Sequence, residues 1–331
     1  MVSMSSATQD IKIVFGILSA NNPADIVQQT IDALGGDCMV LVHHDFSQRP
    51  DFVLTGDNVR ILENPVLTEW GNWTLAEATL HLLRHALLHY QFDYFQLLSD
   101  SCLPIQPISE FKRRLLSQRP DAMMDMIDIG ADKDLFVSHA YRYMPSRTLV
   151  HRIFRRFRIW ALGPGPHAME RMAGLGIPMA KQAASLVPRI KQIAGRTLLL
   201  FLHVPNLISK RKFFVGSVWF CASREVCSYI VEQARAEKLV QYFSGLRGPD
   251  EIFFPYVLGN SRFRNIVPAN HFTLWKLRGT GPEEIQETDL PDIMNSGKFF
   301  ARKFSKSSNN PARMAVLSNR FSAMEKCKVA G

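Results

Sequence analysis

The sequence predicts an α/β fold whose mostly parallel sheet is covered by helices. Three observations predict it. Strand-like and helix-like segments alternate along the first third of the 331 residues, which is the order of βαβ units. The strand-like segments are continuous apolar runs, which suits strands buried on both faces. The segments between them carry helical spacing and are punctuated by glycine and proline.

Each element follows in order. IKIVFGIL, Ile11–Leu18, is an unbroken apolar and β-branched run and reads as the first strand. Asn21-Asn22-Pro23 ends it and opens a helix to Leu34, which Gly35-Gly36 closes. CMVLVHHD, Cys38–Asp45, reads as the second strand, with its polar residues at the carboxyl end. NVRIL, Asn58–Leu62, is a short third strand. Leu75, Ala78, Leu82, Ala86 and Tyr90 share one face of a helix over 75–90. FDYFQLL, Phe92–Leu98, is the fourth strand, ended by SDSCLP.

The middle segment has no clean strand alternation. It contains HRIFRRFRIW, a break at LGPGP, the apolar LLLFLHV and the basic SKRK. Regular structure returns at Phe213. FFVGSVWFCAS reads as a strand and REVCSYIVEQARAEKLVQYF as a helix. In RGPDEIFFPYVLGNS, Gly248-Pro249 marks a turn. Asp250 and Glu251 follow, where acids suit the first turn of a helix because its N–H groups and dipole attract negative charge. On this reading Asp250 caps the helix. Ile252, Phe253, Tyr256 and Val257 then bury one face. KFFARKF precedes a polar run, SKSSNNPAR, read as loose. The expected organisation is an α/β half over 1–140, a basic helical insertion over 141–212, a second half of the same domain over 213–304, and a tail over 305–331.

Composition is that of a globular protein: 47% hydrophobic and 21% charged residues. The five cysteines form no C-x-x-C pair, which suggests reduced thiols. No run of about 20 apolar residues suggests a spanning helix. MVSMSSATQD lacks the basic start and apolar core of a signal peptide. A cytoplasmic protein, peripheral on the inner membrane face, is expected. The net charge of +9 is unevenly placed. Arg142–Lys212 holds fourteen Lys and Arg against one acid, Glu170, and is +13; the rest of the chain is −4. Such a local excess points to an anionic partner. Arg interleaved with Phe, Ile and Trp suits an anionic membrane surface. No recognised nucleic-acid motif accompanies the charge, and nucleic acid is not expected as a partner.

Ligands of parallel α/β sheets bind beyond the carboxyl ends of the strands. His43, His44, Asp45, Ser99, Asp100 and Ser101 fall there. The sequence holds no G-x-G-x-x-G and no G-x-x-x-x-G-K-[ST], so a dinucleotide fingerprint or P-loop is unsupported.

Several blocks line up in order: ILSANNPADIVQQTIDAL, VHHD, EWGNWTLAEATLHLLRHAL, FDYFQLLSDSCLPI, VGSVWFCASRE, PDEIFFPYVLGNSRF and SGKFFARKF. Together they resemble the core-2/I-branching enzyme family, glycosyltransferase family 14, with its bacterial members. The resemblance spans about residues 11–135 and 213–304.

It implies a GT-A-type fold and transfer of a sugar, with N-acetylglucosamine the one expected, from a UDP donor to a hydroxyl of a glycan or glycolipid, with inversion. The family lacks the metal-binding Asp-x-Asp, so no cofactor and no divalent metal is expected. Glu251 matches the family's catalytic base. Lys303 matches its diphosphate-contacting lysine, with Arg302 beside it. Neighbouring side chains of an extended segment point opposite ways, so only one of the two is expected at the phosphates. Asp45 and His43 match the acid and histidine near the uridine, with Ala20 and Asn21 along the nucleotide. Asp100, Ser101, Ser217, Trp219 and Asp250 are expected on the acceptor and sugar side. The family pattern after the fourth strand is closer to Ser-Gly-Ser-Asp, so Asp100 stands at the glycine and Cys102 at the acid. The family's upstream arginine has no clear counterpart among His271, Lys276 and Arg278. A metal site at His43, His44 and Asp45 lacks a further ligand cluster. The rival reading is a non-catalytic glycan- or anionic-membrane-binding protein on a glycosyltransferase fold.

Overall fold

The computed structural model describes residues 10–140, 211–275 and 282–318. The basic insertion, apart from its last two residues, lies outside the described residues, as do Lys276 and Arg278.

The first half follows the sequence closely. It runs β1 (Ile13–Ser19), α1 (Ala24–Leu34), β2 (Met39–His44), β3 (Val59–Ile61), α2 (Trp73–His89) and β4 (Tyr94–Ser99). Next come β5 (Leu103–Pro104), α3 (Ile108–Gln118), β6 (Ala122–Met123), β7 (Met126–Asp128) and α4 (Lys133–Ala140). Gly35 closes α1 at a φ of 86°, where a side chain would be strained.

The second half contains β8 (Phe214–Gly216), β9 (Cys221–Ser223), α5 (Arg224–Gln233), α6 (Glu237–Ser244) and α7 (Asp250–Gly259). It continues with β10 (Ile266–Val267), β11 (His271–Thr273), α8 (Leu290–Met294) and β12 (Phe300–Arg302). A last helix, α9, covers 311–318.

The central sheet has the order β10-β6-β9-β4-β1-β2-β3. β4, β1, β2 and β3 are mutually parallel, while β9 runs antiparallel to β4 and β6. The mixed sheet, parallel at its centre and covered by helices, has the layout of a GT-A-type fold. Alternate residues explain the unbroken apolar runs. Ile13, Phe15, Ile17, Val40, Val42 and Leu98 bury into one apolar layer. Val14, Leu41, Phe95 and Leu97 bury into the other, against Leu83 of α2 and Phe253 of α7. Both faces are dry, so both parities must be apolar.

Three local expectations are corrected. FFVGSVWFCAS is not one strand: β8 pairs with β7 in a separate two-stranded sheet, and β9 enters the central sheet. Gly216 sits at the break because a Cβ there would lie 2.1 Å from the Asp125 carbonyl oxygen. The helix expected after it is two, α5 and α6, separated at Ala234–Ala236. The polar run after Phe304 ends in α9, whose Ala312, Arg313, Val316 and Leu317 are all buried. Among the described residues, no helix is long and apolar enough to cross a membrane.

Candidate functional site

The site lies at the carboxyl edge of the parallel strands. β1, β2 and β4 end in register, with Ser19 opposite His44 and Leu18 opposite Ser99. The residues that follow are tied to β1. Asp45 N–H donates to Ser19 O at 3.0 Å, and Asp100 N–H to Leu18 O at 2.9 Å. Ala20 N–H donates to Asp100 Oδ2 at 3.3 Å, and Asn22 Nδ2 to the Asp100 carbonyl at 3.1 Å. Asn21 is exposed on the same rim. Asp100, expected on the acceptor side, is thus joined to the Ala20–Asn22 turn expected along the nucleotide. Its backbone leaves β4 directly against β1, and this adjacency sets its neighbours.

The second half closes on this edge through β12. It pairs with β5 and β11, and Phe304 N–H donates to the Ser101 carbonyl at 2.9 Å. That register carries Arg302 and Lys303 to the SDSC turn. The Arg302 guanidinium lies over the Trp219 ring, 4.4 Å from its centroid. Burial pushes the pKa of Arg302 down, while Cys102, Asp100, Glu251 and Asp250 hold it up. Burial and then Arg302 lower that of Lys303, opposed by Asp100 and Cys102. Both basic side chains therefore lie in the field of Asp100 and Cys102.

Trp219, half-buried, is the platform for Arg302, with the His271 ring 6.2 Å away. Ser217 shapes the bend that presents it: Ser217 N–H donates to Asp125 O, and its Oγ accepts from Trp219 N–H at 3.2 Å. Ser101 is buried, with its Oγ 2.9 Å from Ser99 Oγ. Cys102 Sγ lies 3.7 Å from His271 Nε2. Burial, then Arg302 and Lys298, depress the His271 pKa to about 3, so the ring is neutral.

Lys306 was not singled out from sequence, and His271 was weighed there only as a counterpart of the family's upstream arginine. His271 packs between Trp219 and Phe300. Lys306 acts electrostatically on both Asp100 and Lys303. The third cation of RKFSK was the available signal.

The acid pair stands at the start of α7. Pro249 takes the cap position, so Asp250 is the first helical residue and not the cap. Asp250 is buried and Glu251 half-buried. Gly248 makes the turn at a φ of 63°, and its N–H donates to the Gly71 carbonyl at 2.8 Å. The EWGNW and RGPDE blocks are thereby joined. Trp73 packs edge-on to Phe253 at 5.1 Å, and the Arg247 guanidinium lies 5.1 Å from the Trp70 centroid.

His43, His44 and Asp45 are engaged elsewhere. Asp45 accepts from Ser47 N–H and Oγ and from Thr68 N–H and Oγ1. Burial pushes its pKa up, but these four hydrogen bonds outweigh burial and the carboxyl lies below its ordinary value. His43 Nε2 accepts from Val66 N–H at 2.9 Å; burial, then His81, lowers its pKa to about 4. His44 Nε2 is 2.9 Å from the Arg49 carbonyl, which can only accept, so Nε2 carries the hydrogen. Its Nδ1 accepts from Ser19 Oγ, and the ring stacks on Phe52 at 3.6 Å. The three side chains hold the loops beyond β2 together. Among the described residues, no group of three or more His, Cys, Asp or Glu is placed to hold a metal ion.

The edge thus gathers Asp100, Arg302, Lys303, Lys306 and Trp219, with Asp250 and Glu251 in the field of Arg302. Cations and carboxylates that act on one another electrostatically at one sheet edge suit stabilising an anionic leaving group beside a proton acceptor. A family model described as Core-2/I-Branching enzyme matches residues 39–154 and 189–299, more than half of the chain. No curated protein matches the chain.

Proposed function

The chain belongs to the Core-2/I-branching enzyme family and is a glycosyltransferase; we propose that it moves N-acetylglucosamine from a UDP donor to a hydroxyl of a glycan or glycolipid, with inversion and without a divalent metal. Glu251 takes the proton of the acceptor hydroxyl. The acceptor oxygen bonds to the anomeric carbon as the bond from that carbon to the β-phosphate oxygen breaks. UDP leaves with the bonding electrons, and Arg302 and Lys303 stabilise its charge. Asp45 and His43 shape the uridine end by fixing the 66–68 loop. Trp219 supports Arg302 from the sugar side. The acceptor meets the enzyme at an anionic membrane surface on the cytoplasmic side, engaged by the basic segment.

One observation carries this reading. Arg302 feels both Asp100, on the donor edge, and Glu251, at the start of α7. This influence supports assigning the leaving-group cations and the base to one site.

Calorimetric titration of UDP and UDP-N-acetylglucosamine, with and without EDTA, tests it together with turnover of Glu251→Gln. We expect EDTA-insensitive binding. We expect Glu251→Gln to keep UDP affinity and lose turnover about 10²–10⁴-fold. Retained turnover in that variant would remove Glu251 from the role of base.

A further inference from the structure

Asp100 is a carboxylate set among cations. Its backbone is held from two sides, by Leu18 O and by the Asn22 side chain. Its Oδ2 accepts the Ala20 N–H at 3.3 Å. β12 brings Arg302 and Lys303 beside its turn, since Ala301 pairs with Leu103 and Phe304 N–H donates to the Ser101 carbonyl at 2.9 Å; Arg302, Lys303 and Lys306 act on the carboxylate electrostatically. Cys102 in its own turn, His44 on β2 and Arg313 on α9 also lie within its electrostatic reach. Among the described residues, none of these basic groups closes on it as a direct ion pair.

Those cations are the ones assigned above to the donor diphosphate, and the present inference rests on that assignment. Two anions brought to one set of cations repel each other. We propose that Asp100 is a resident counter-anion of the diphosphate pocket, balancing Arg302 and Lys303 in the empty enzyme and competing with the donor phosphates when they bind. Asp100 then sets donor affinity through charge, without touching the reacting atoms. Burial raises its pKa, with the Ala20 N–H and Arg302 opposing. Acidification therefore neutralises it above the usual carboxylate range and relieves the competition.

Asp100→Asn tests this, because the amide oxygen still accepts the Ala20 N–H. UDP and uridine are titrated into the wild-type protein and the variant at fixed salt, at pH 7.5 and pH 5.5. Uridine has no phosphate, so its affinity reports the fold of the pocket alone. We expect UDP to bind the variant about tenfold tighter at pH 7.5, from one unit charge removed at short range. We expect uridine to be unchanged and the UDP advantage to narrow at pH 5.5 and at high salt. Equal or weaker UDP binding to the variant, with wild-type UDP binding intact, would overturn the counter-anion role alone. Failure of both proteins to bind UDP would overturn the diphosphate assignment as well.

Discussion

Single side chains carry the sharpest consequences. Lys303 is half-buried among groups of both signs, and on the proposed reading it meets the diphosphate directly. Lys303→Ala should weaken UDP binding by about 1.5–3 kcal/mol, the value of a hydrogen bond to a charged group. Uridine affinity should hold, and calorimetry with the two ligands separates the effects. His43 and His271 make a different prediction. Both are buried and neutral, with pKa values pushed down to about 4 and about 3. The unfolded chain binds a proton at each near pH 6.5, while the folded chain refuses it to lower pH. Stability is therefore fully present above about pH 6.5 and falls as pH drops toward 4. Each histidine contributes a slope of up to about 1.4 kcal/mol per pH unit in that window. Asp45, with its pKa lowered, adds loss of the same sign at still lower pH. His43→Gln should flatten the slope by about one proton, read from urea midpoints between pH 7 and 4.5. An unchanged slope would show that His43 is protonated in the native state.

At the scale of elements, β1, α1, β2, β3, α2 and β4 are legible in the sequence because their signals are local. Runs such as Ile13–Ser19 are apolar in both parities, and glycine or proline closes them. The joining of Asp100 to Ala20 and Asn22, and of Phe304 to Ser101, is not local; only the ordered family blocks pointed to these segments acting together. The break in FFVGSVWF was invisible for a physical reason. The stretch is apolar throughout, and the bend is imposed by the approach of Asp125 to Gly216. Gly216→Ala places a Cβ inside that contact and should cost about 1–3 kcal/mol by overpacking, measurable by thermal unfolding. The helix over 311–318 was missed because its apolar set is short and its anchor is a charge. Arg313 is fully buried; Nη2 donates to Ile26 O at 2.6 Å and Nε donates to Gln29 Oε1. Thr30 Oγ1, 3.3 Å from Nη2, donates to the Cys102 carbonyl at 3.0 Å. A buried arginine reads from sequence as a surface residue. Arg313→Ala should destabilise the protein by about 2–4 kcal/mol. Arg313→Lys should not restore it, because an ammonium cannot span these acceptors as a fork does.

At the scale of the whole molecule, the division of charge is the dominant fact. Arg142–Lys212 is +13 and the rest of the chain −4. A polypeptide so divided has a field that orients it before any contact forms. On the proposed reading, an anionic bilayer attracts the basic segment and repels the net-negative remainder. This suits an enzyme whose acceptor sits at a surface while its donor arrives from solution. Each basic residue at such a surface contributes about 1 kcal/mol, screened over about 8 Å at physiological salt. The protein should therefore sediment with vesicles containing about a third anionic lipid, using the attraction that basic segments show for such surfaces. It should stay in the supernatant with neutral vesicles, and be released as salt rises. Replacing Arg152, Arg155, Arg156 and Arg158 with Gln removes four of the fourteen cations in the segment. That variant should lose vesicle binding while UDP affinity is unchanged, because the proposed reading assigns the donor to Arg302 and Lys303. Vesicle binding that survives both the substitutions and high salt would mean that charge in this segment does not hold the enzyme at the membrane. Loss of UDP affinity in the same variant would place part of the donor site within the basic segment.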